Sequence, residues 1–196
     1  VAKLSSKENI LIHAGAGGVG TIAIQLAKHL GAMVTATTST KNIELVRSLG
    51  ADKVIDYTKE NYLDGPSKFD VVYDTLGGKF TLDSFKILGY GGRVISIAGE
   101  LDSITAKQLG LNKIISFILA LKARKITKKA SKMNALYRFL LMVPSGSQLK
   151  ELATFYESGS IKPVIDKTYG FDSSIQALEY LSKGRAKGKV IVNLID

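Results

Sequence analysis

The stretch HAGAGGVG, His13 to Gly20, is almost bare of side chains, with four glycines and two alanines. It sits between the short apolar run Ile10 to Ile12 and a segment in which Val19, Ile22, Ala23, Leu26 and Leu30 recur at helical spacing. A second apolar run, Val34 to Thr37, follows and closes a strand–helix–strand unit of roughly 30 residues. Few architectures need so bare a junction at the start of such a unit.

Gly15, Gly17 and Gly20 are spaced G-x-G-x-x-G. A turn from strand into helix requires backbone geometry that side chains disfavour, and a Cβ at Gly17 would hold an approaching group away from the main-chain amides. The unpaired N–H groups that open the Val19 helix, with the positive end of its dipole, suit a phosphate. In this context the motif predicts a dinucleotide-binding turn rather than a plain tight loop.

The alternation continues along the chain, as a parallel sheet covered by helices requires. Ile43, Val46 and Leu49 mark a helix face, Val54-Ile55 a third strand, and FDVVYDTLGG from Phe69 a fourth. Leu82, Phe85 and Leu88 mark the next helix, and GGRVISIAG from Gly91 a fifth strand. Beyond Gly99 the rhythm loosens; a helix is expected over 112–132, then a sixth strand in YRFLLMVP from Tyr137, stopped by Pro144. Leu149, Leu152, Ala153 and Tyr156 indicate a further helix. The tail breaks with this rhythm, since IKPVIDKTYGF, a helix around Ile175, Leu178 and Leu181, and GKVIVNLI form a compact strand–helix–strand unit. The fold class expected is α/β, a Rossmann-type doubly wound parallel sheet with helices on both faces, plus this C-terminal segment.

At 196 residues, 45% hydrophobic and 22% charged, the chain has material for one ordinary domain and a smaller appendage. It has no cysteine, which excludes disulfides, thiolate zinc sites and cysteine nucleophiles within it, and its two histidines argue against a dedicated metal centre. The net charge of +10 is concentrated: Ser103 to Lys150 holds ten Lys or Arg and no acidic residue. Within it, LKARKITKKASK follows IISFILAL. A solvated helix face that also attracts a phosphate-rich cofactor is one reading and association with a membrane surface the other; nucleic acid is not expected, because no aromatics are interleaved with the lysines.

Which dinucleotide is bound depends on the end of the second strand, where NAD sites usually carry Asp or Glu. Here the stretch is TATTSTKN, Thr35 to Asn42, and no carboxylate occurs before Glu44. A 2′-phosphate would meet no repulsion, Ser39 and Thr40 offer hydroxyls and Lys41 a positive charge, so NADPH is favoured over NADH. The alternative is that Ser39 caps a helix and Lys41 is a solvated residue of its first turn. His13 reads as a core imidazole closing the first strand, His29 as a residue on the polar side of its helix, and Tyr73 and Asp74 as equally suited to packing or ligand contact.

Taken together, ILIHAGAGGVGTIAIQLAK, LGADKVIDY and GRAKGKVIV closely resemble the medium-chain dehydrogenase/reductase superfamily, in its zinc-free, quinone-oxidoreductase-like branch. The resemblance covers essentially the whole chain. It implies that residues 1–159 form an NADP-binding Rossmann domain and 160–196 the C-terminal segment of a GroES-like substrate domain whose N-terminal part is absent; a first residue of Val1 rather than Met agrees. It implies pyrophosphate contacts at Gly17, Gly18, Val19 and Gly20, and a 2′-phosphate held by Ser39, Lys41 and Tyr57. Leu76, Gly77, Ala98 and Gly99 would lie beside the nicotinamide ribose. Phe139 would begin a strand, FLLMV, bordering the nicotinamide amide, and Lys189 would reach the cofactor from the returning segment. The activity implied is hydride transfer from NADPH to a quinone or an α,β-unsaturated carbonyl without zinc, by a cytoplasmic homodimer; a dinucleotide-binding module without catalysis is the alternative. No side chain in the chain stands out as a proton donor.

Overall fold

Six strands, all running one way, carry the molecule. In the computed structural model, which describes residues 2–65 and 68–195, they are β1 (Asn9–Ile12), β2 (Met33–Thr38), β3 (Lys53–Asp56), β4 (Phe69–Asp74), β5 (Leu88–Ser96) and β6 (Leu136–Phe139). Their spatial order is β3-β2-β1-β4-β5-β6, every neighbouring pair parallel. Helices α1 (Gly20–His29), α2 (Ile43–Ser48), α3 (Lys79–Ile87), α4 (Ser103–Gln108), α5 (Lys113–Lys132) and α6 (Gly146–Glu157) complete this part. The order reverses between β1 and β4, and in such sheets the crevice beyond the carboxyl ends of the strands at that point is where ligands gather.

Both faces of the sheet are covered, which is why its strands are apolar throughout. Ile10 and Ile12 join Ile24, Val34 and Val46 in one buried cluster, while Leu11, between them in sequence, joins Val72, Phe85, Val94 and Ile126 in the other. Successive side chains of one strand thus feed two cores.

Three elements differ from the pattern expected. The fifth strand begins at Leu88 rather than Gly91, so Leu88 leaves the helix and pairs with Phe69; the ladder is interrupted before it resumes at Arg93 opposite Val71. A short helix, α4, occupies part of the basic stretch, and Asp102 caps it by accepting from the amides of Ile104 and Thr105. The sixth strand stops at Phe139 instead of running to Val143. Among the described residues it pairs with β5 alone, and their register ends at Ser96 opposite Phe139. Leu140 makes one last bond, N–H to the Ser96 carbonyl at 2.7 Å, and the chain leaves the sheet.

The tail forms β7 (Ile165–Gly170), α7 (Ser174–Ser182) and β8 (Lys189–Asn193), with β7 and β8 paired parallel in a separate two-stranded sheet. Polar contacts attach it to the larger unit. The Gln25 amide donates to and accepts from the backbone of Lys162, each at 2.9 Å. Gly188 forms a parallel bridge to Gly17, its N–H reaching the Ala16 carbonyl at 2.9 Å.

Candidate functional site

The three spaced glycines of the motif, Gly15, Gly17 and Gly20, have different duties. A Cβ on Gly20 would stand 2.2 Å from the Ala14 carbonyl oxygen, and one on Gly15 would stand 2.9 Å from the Ala36 Cβ, so packing alone requires both to be bare. Gly17 has only the Ala14 oxygen near it, at 3.3 Å, and lines an open cleft. Thr37 holds the turn from the β2 side: its hydroxyl accepts from the Ala14 amide at 3.1 Å and its carbonyl from the Gly15 amide at 2.8 Å. Among the described residues no side chain caps α1, and the amides of Val19 and Gly20 find no backbone acceptor, while that of Gly18 is turned toward the Gly188 carbonyl across the bridge. These orphan donors at the positive end of a ten-residue helix are what an anionic group needs.

Beside the turn lies a cleft of about 350 Å³ into which Gly17, Ser39, Lys41 and Tyr57 all face, together with Asn42 and Arg185. Its lining contains two cations and no carboxylate. The nearby Asp56 is engaged elsewhere: the Thr40 and Thr58 hydroxyls donate to it at 2.5 and 2.7 Å, and these bonds hold its carboxyl below the ordinary range. Ser39 precedes a 3₁₀ turn at Thr40–Asn42 in extended geometry, but among the described residues its side chain makes no capping bond and accepts only from the Asn42 side-chain Nδ2, at 3.4 Å. On the other side of the turn, the Lys189 ammonium lies 3.5 Å from where a Cβ on Gly18 would stand.

Tyr57 also lines a neighbouring cavity of about 620 Å³ with His13, Tyr62, Leu76 and Phe80. His13 is fully buried there, edge-to-face with Tyr62 at 4.9 Å between ring centroids. Its Nδ1 lies 3.5 Å from the Thr37 hydroxyl and its Nε2 has no hydrogen-bond partner among the described residues. Burial pushes this imidazole down to about 4, so it is neutral at ordinary pH. Burial likewise pushes the Tyr62 phenol up to about 12.

Beyond β4, β5 and β6 opens a larger cavity, about 1030 Å³, walled by Val19, Ile97, Ile104, Phe139 and Met142, with Gln108, Arg138 and Gln148 among its polar groups. Its rim is held by two buried carboxylates. Asp74, at the end of β4, accepts from the Leu76 and Gly77 amides and from the Thr81 and Ser96 hydroxyls, at 2.5 to 3.0 Å. The Ser96 hydroxyl oxygen in turn accepts from the amides of Ala98 and Gly99. One side chain thus sets the loops after two strands. Gly77 adopts φ +74°, and a Cβ there would lie 2.1 Å from the Ala98 oxygen, so the loops touch through backbone. Asp102 ties α4 to β6 by accepting also from the Phe139 amide at 2.8 Å.

The structure therefore gathers Gly17, Ser39, Lys41 and Tyr57 around one cleft, with Gly18 and Lys189 against its turn; Leu76 faces the His13 cavity, and Val19 and Phe139 the large one. Gly15 and Gly20 face inward, and Gly77, Ala98 and Gly99 form the packed loops between. Of the expected strand FLLMV only Phe139 lies in the sheet; Leu140 to Val143 wall the cavity as loop. His29 is not idle: its ring packs 4.6 Å from that of Phe155 in α6. Sequence reasoning missed Arg185, although it belongs to the same GRAKGKVIV stretch as Lys189. The signal was there in a cation beside Gly184, at a bend preceding the strand that meets the turn.

Comparison with known proteins gives a consistent picture. Residues 49–192 match a family model described as zinc-binding dehydrogenase. Among curated relatives, 2-methylene-furan-3-one reductase of Solanum lycopersicum is 40% identical over 199 residues, and the chloroplastic NADPH-dependent alkenal/one oxidoreductase of Arabidopsis thaliana is 37% identical over 194. These alignments cover 99% and 97% of this chain but 42% of each relative, so the chain spans less than half their length. The solved quinone oxidoreductase of Coxiella burnetii superposes with a TM-score of 0.81 at 27% identity, over 99% of this chain and 55% of that one.

Proposed function

The chain belongs to the zinc-binding dehydrogenase family of the medium-chain dehydrogenase/reductase superfamily, and from that premise we propose that it is the coenzyme-binding part of an NADPH-dependent enzyme that passes a hydride to a quinone or an α,β-unsaturated carbonyl. Supporting this reading is the company of relatives named as alkenal/one and quinone oxidoreductases. The observation that carries the coenzyme choice is the cleft with Lys41 and Arg185 and no carboxylate. A 2′-phosphate is attracted there, whereas an NAD site would offer an acid to the ribose hydroxyls.

When bound, the coenzyme supplies the hydride from its nicotinamide ring. The work of this chain is to hold and enclose it. The amides of Val19 and Gly20 would meet the pyrophosphate, with the Gly17 surface bare enough for close approach and Lys189 adding charge from the returning segment. Ser39, Lys41, Tyr57 and Arg185 meet the adenosine end. The loops at Leu76–Gly77 and Ala98–Gly99, fixed by Asp74, would lie beside the ribose of the nicotinamide. The walls at Val19, Ile97 and Phe139 would screen the reacting carbon from water. In this reading the developing negative charge on the acceptor's oxygen is met by hydrogen-bond donors. In the same reading residues 160–196 belong to a substrate-binding domain, and two copies meet at β6, which pairs with β5 alone among the described residues.

Calorimetric titration tests the proposal. NADPH is expected to bind at least tenfold tighter than NADH, about 1.4 kcal/mol, and the double variant Lys41→Ala/Arg185→Ala to abolish that preference. Equal affinities in the unaltered protein reject it.

A further inference from the structure

The solvent side of α5 changes character along its length. The helix buries Ala123, Ile126 and Ala130, all in its second half. On the opposite side of its first half, Ile114, Phe117, Ile118 and Leu121 are 74%, 65%, 49% and 51% exposed. Their spacing, i, i+3, i+4, i+7, makes them one stripe. Farther along that same side stand Arg124, Lys125, Lys128 and Lys132. Little offsets their charge: Ser103 to Lys150 contains no acid, and among the described residues no α5 cation lies in an ion pair.

These charges do not serve the cleft. α5 crosses back between two parallel strands, so its basic half lies where β5 and β6 begin, with the Met133 carbonyl accepting from the Gly91 amide. The glycine turn is at the other end of the sheet, where β1 finishes. The helix itself, 20 residues, is about 30 Å long, several times the screening length of roughly 8 Å at physiological salt.

We propose that this side of α5 is a peripheral docking surface for an anionic phospholipid bilayer. The Ile114–Leu121 stripe enters the boundary between headgroups and acyl chains, and the lysines, with long apolar stems, place their ammonium groups among the lipid phosphates. An apolar stripe continued by cations is complementary to a surface that is greasy beneath and negative above. A second copy of the chain is a poor match, since a two-fold contact would set these cations against the same cations or against the apolar stripe, and in neither case against an acid. No helix among the described residues is long and apolar enough to cross a membrane, so the contact lies at the surface.

Co-sedimentation of the chain with vesicles tests this, comparing pure phosphatidylcholine with a mixture containing one-third phosphatidylserine. Partitioning onto the anionic vesicles is expected to be at least tenfold stronger than onto neutral ones, and to fall at least tenfold between about 0.05 M and about 0.5 M salt. Lys125→Glu/Lys128→Glu should lower it at least tenfold and Phe117→Ser/Ile118→Ser at least fivefold, with thermal melting of both variants unchanged because all four side chains are exposed. Absence of binding to either vesicle overturns the proposal, as does equal binding to both or indifference to the charge reversal. A dimer that dissociates in Phe117→Ser/Ile118→Ser, without vesicle binding, overturns it in favour of a second copy.

Discussion

On the β1–α1–β2 side, the cleft is shaped by what is missing. Gly15 and Gly20 allow the chain to pass closer to itself than any Cβ permits, and Gly17 leaves main-chain amides uncovered. On the β4–β5–β6 side the loops are held by side chains that span long sequence distances: Asp74 gathers Thr81 and Ser96, and Asp102 reaches Phe139. One side is a local backbone device; the other is a buried polar network. Damage should therefore take different forms. Altering the first should spoil ligand affinity and spare the fold, whereas altering the second should loosen the fold itself.

The strongest test of that contrast is Asp74→Ala. It strands the Leu76 and Gly77 amides, the second of them buried, and two hydroxyls, and the expected loss is about 3–5 kcal/mol of stability in urea unfolding. Asp74→Asn, which keeps one acceptor oxygen and the shape, should lose less. A loss below about 1 kcal/mol for the alanine variant would break the comparison.

Gly17→Val probes the other side. The nearest atom to the new Cβ is 3.3 Å away, a contact the turn absorbs with a small shift, so the melting temperature should change little. NADPH affinity should fall at least a hundredfold, about 2.8 kcal/mol by calorimetry. Retained affinity would mean that the phosphates bind elsewhere.

The smallest effect belongs to His13, at the junction of the two sides. Buried and neutral, it titrates at about 4 rather than its ordinary 6.5. Below about pH 6.5 the unfolded chain takes up a proton that the folded chain refuses, so stability present in full above that pH is lost as the pH falls toward 4. By about pH 5 the loss amounts to about 2 kcal/mol. Urea unfolding at about pH 7.5 and about pH 5 should show this in the native protein and less of it in His13→Asn. An identical acid dependence in the two proteins would place His13 in solvent contact.

The same contrast explains what was legible in the sequence. The parallel order, the helix after the glycine turn and the small C-terminal unit follow from apolar periodicity and from glycine spacing, both of which are local. Lys41 could be placed near the turn because it follows closely on the end of β2, whereas Tyr57, just after β3, is reached through the family resemblance. Arg185 is harder to place, since long-range contacts such as the bridge between Gly17 and Gly188 bring the tail to the cleft. The roles of Asp74 and Asp102 were hidden for the same reason, their partners lying up to 37 residues away. The early end of β6 depends on its neighbour β5, and Leu140 to Val143 are as apolar as any strand.

The bridge between Gly17 and Gly188 joins positions far apart in the chain, and Lys189 stands next to it. A molecule resting on the turn would touch both segments at once and act as a reversible staple between the first crossover and the last strand. Peeling away the tail would first require the molecule to leave. Resistance of the carboxyl-terminal residues to digestion would then rise and fall with the supply of reduced coenzyme, making the life span of the protein a gauge of what it binds.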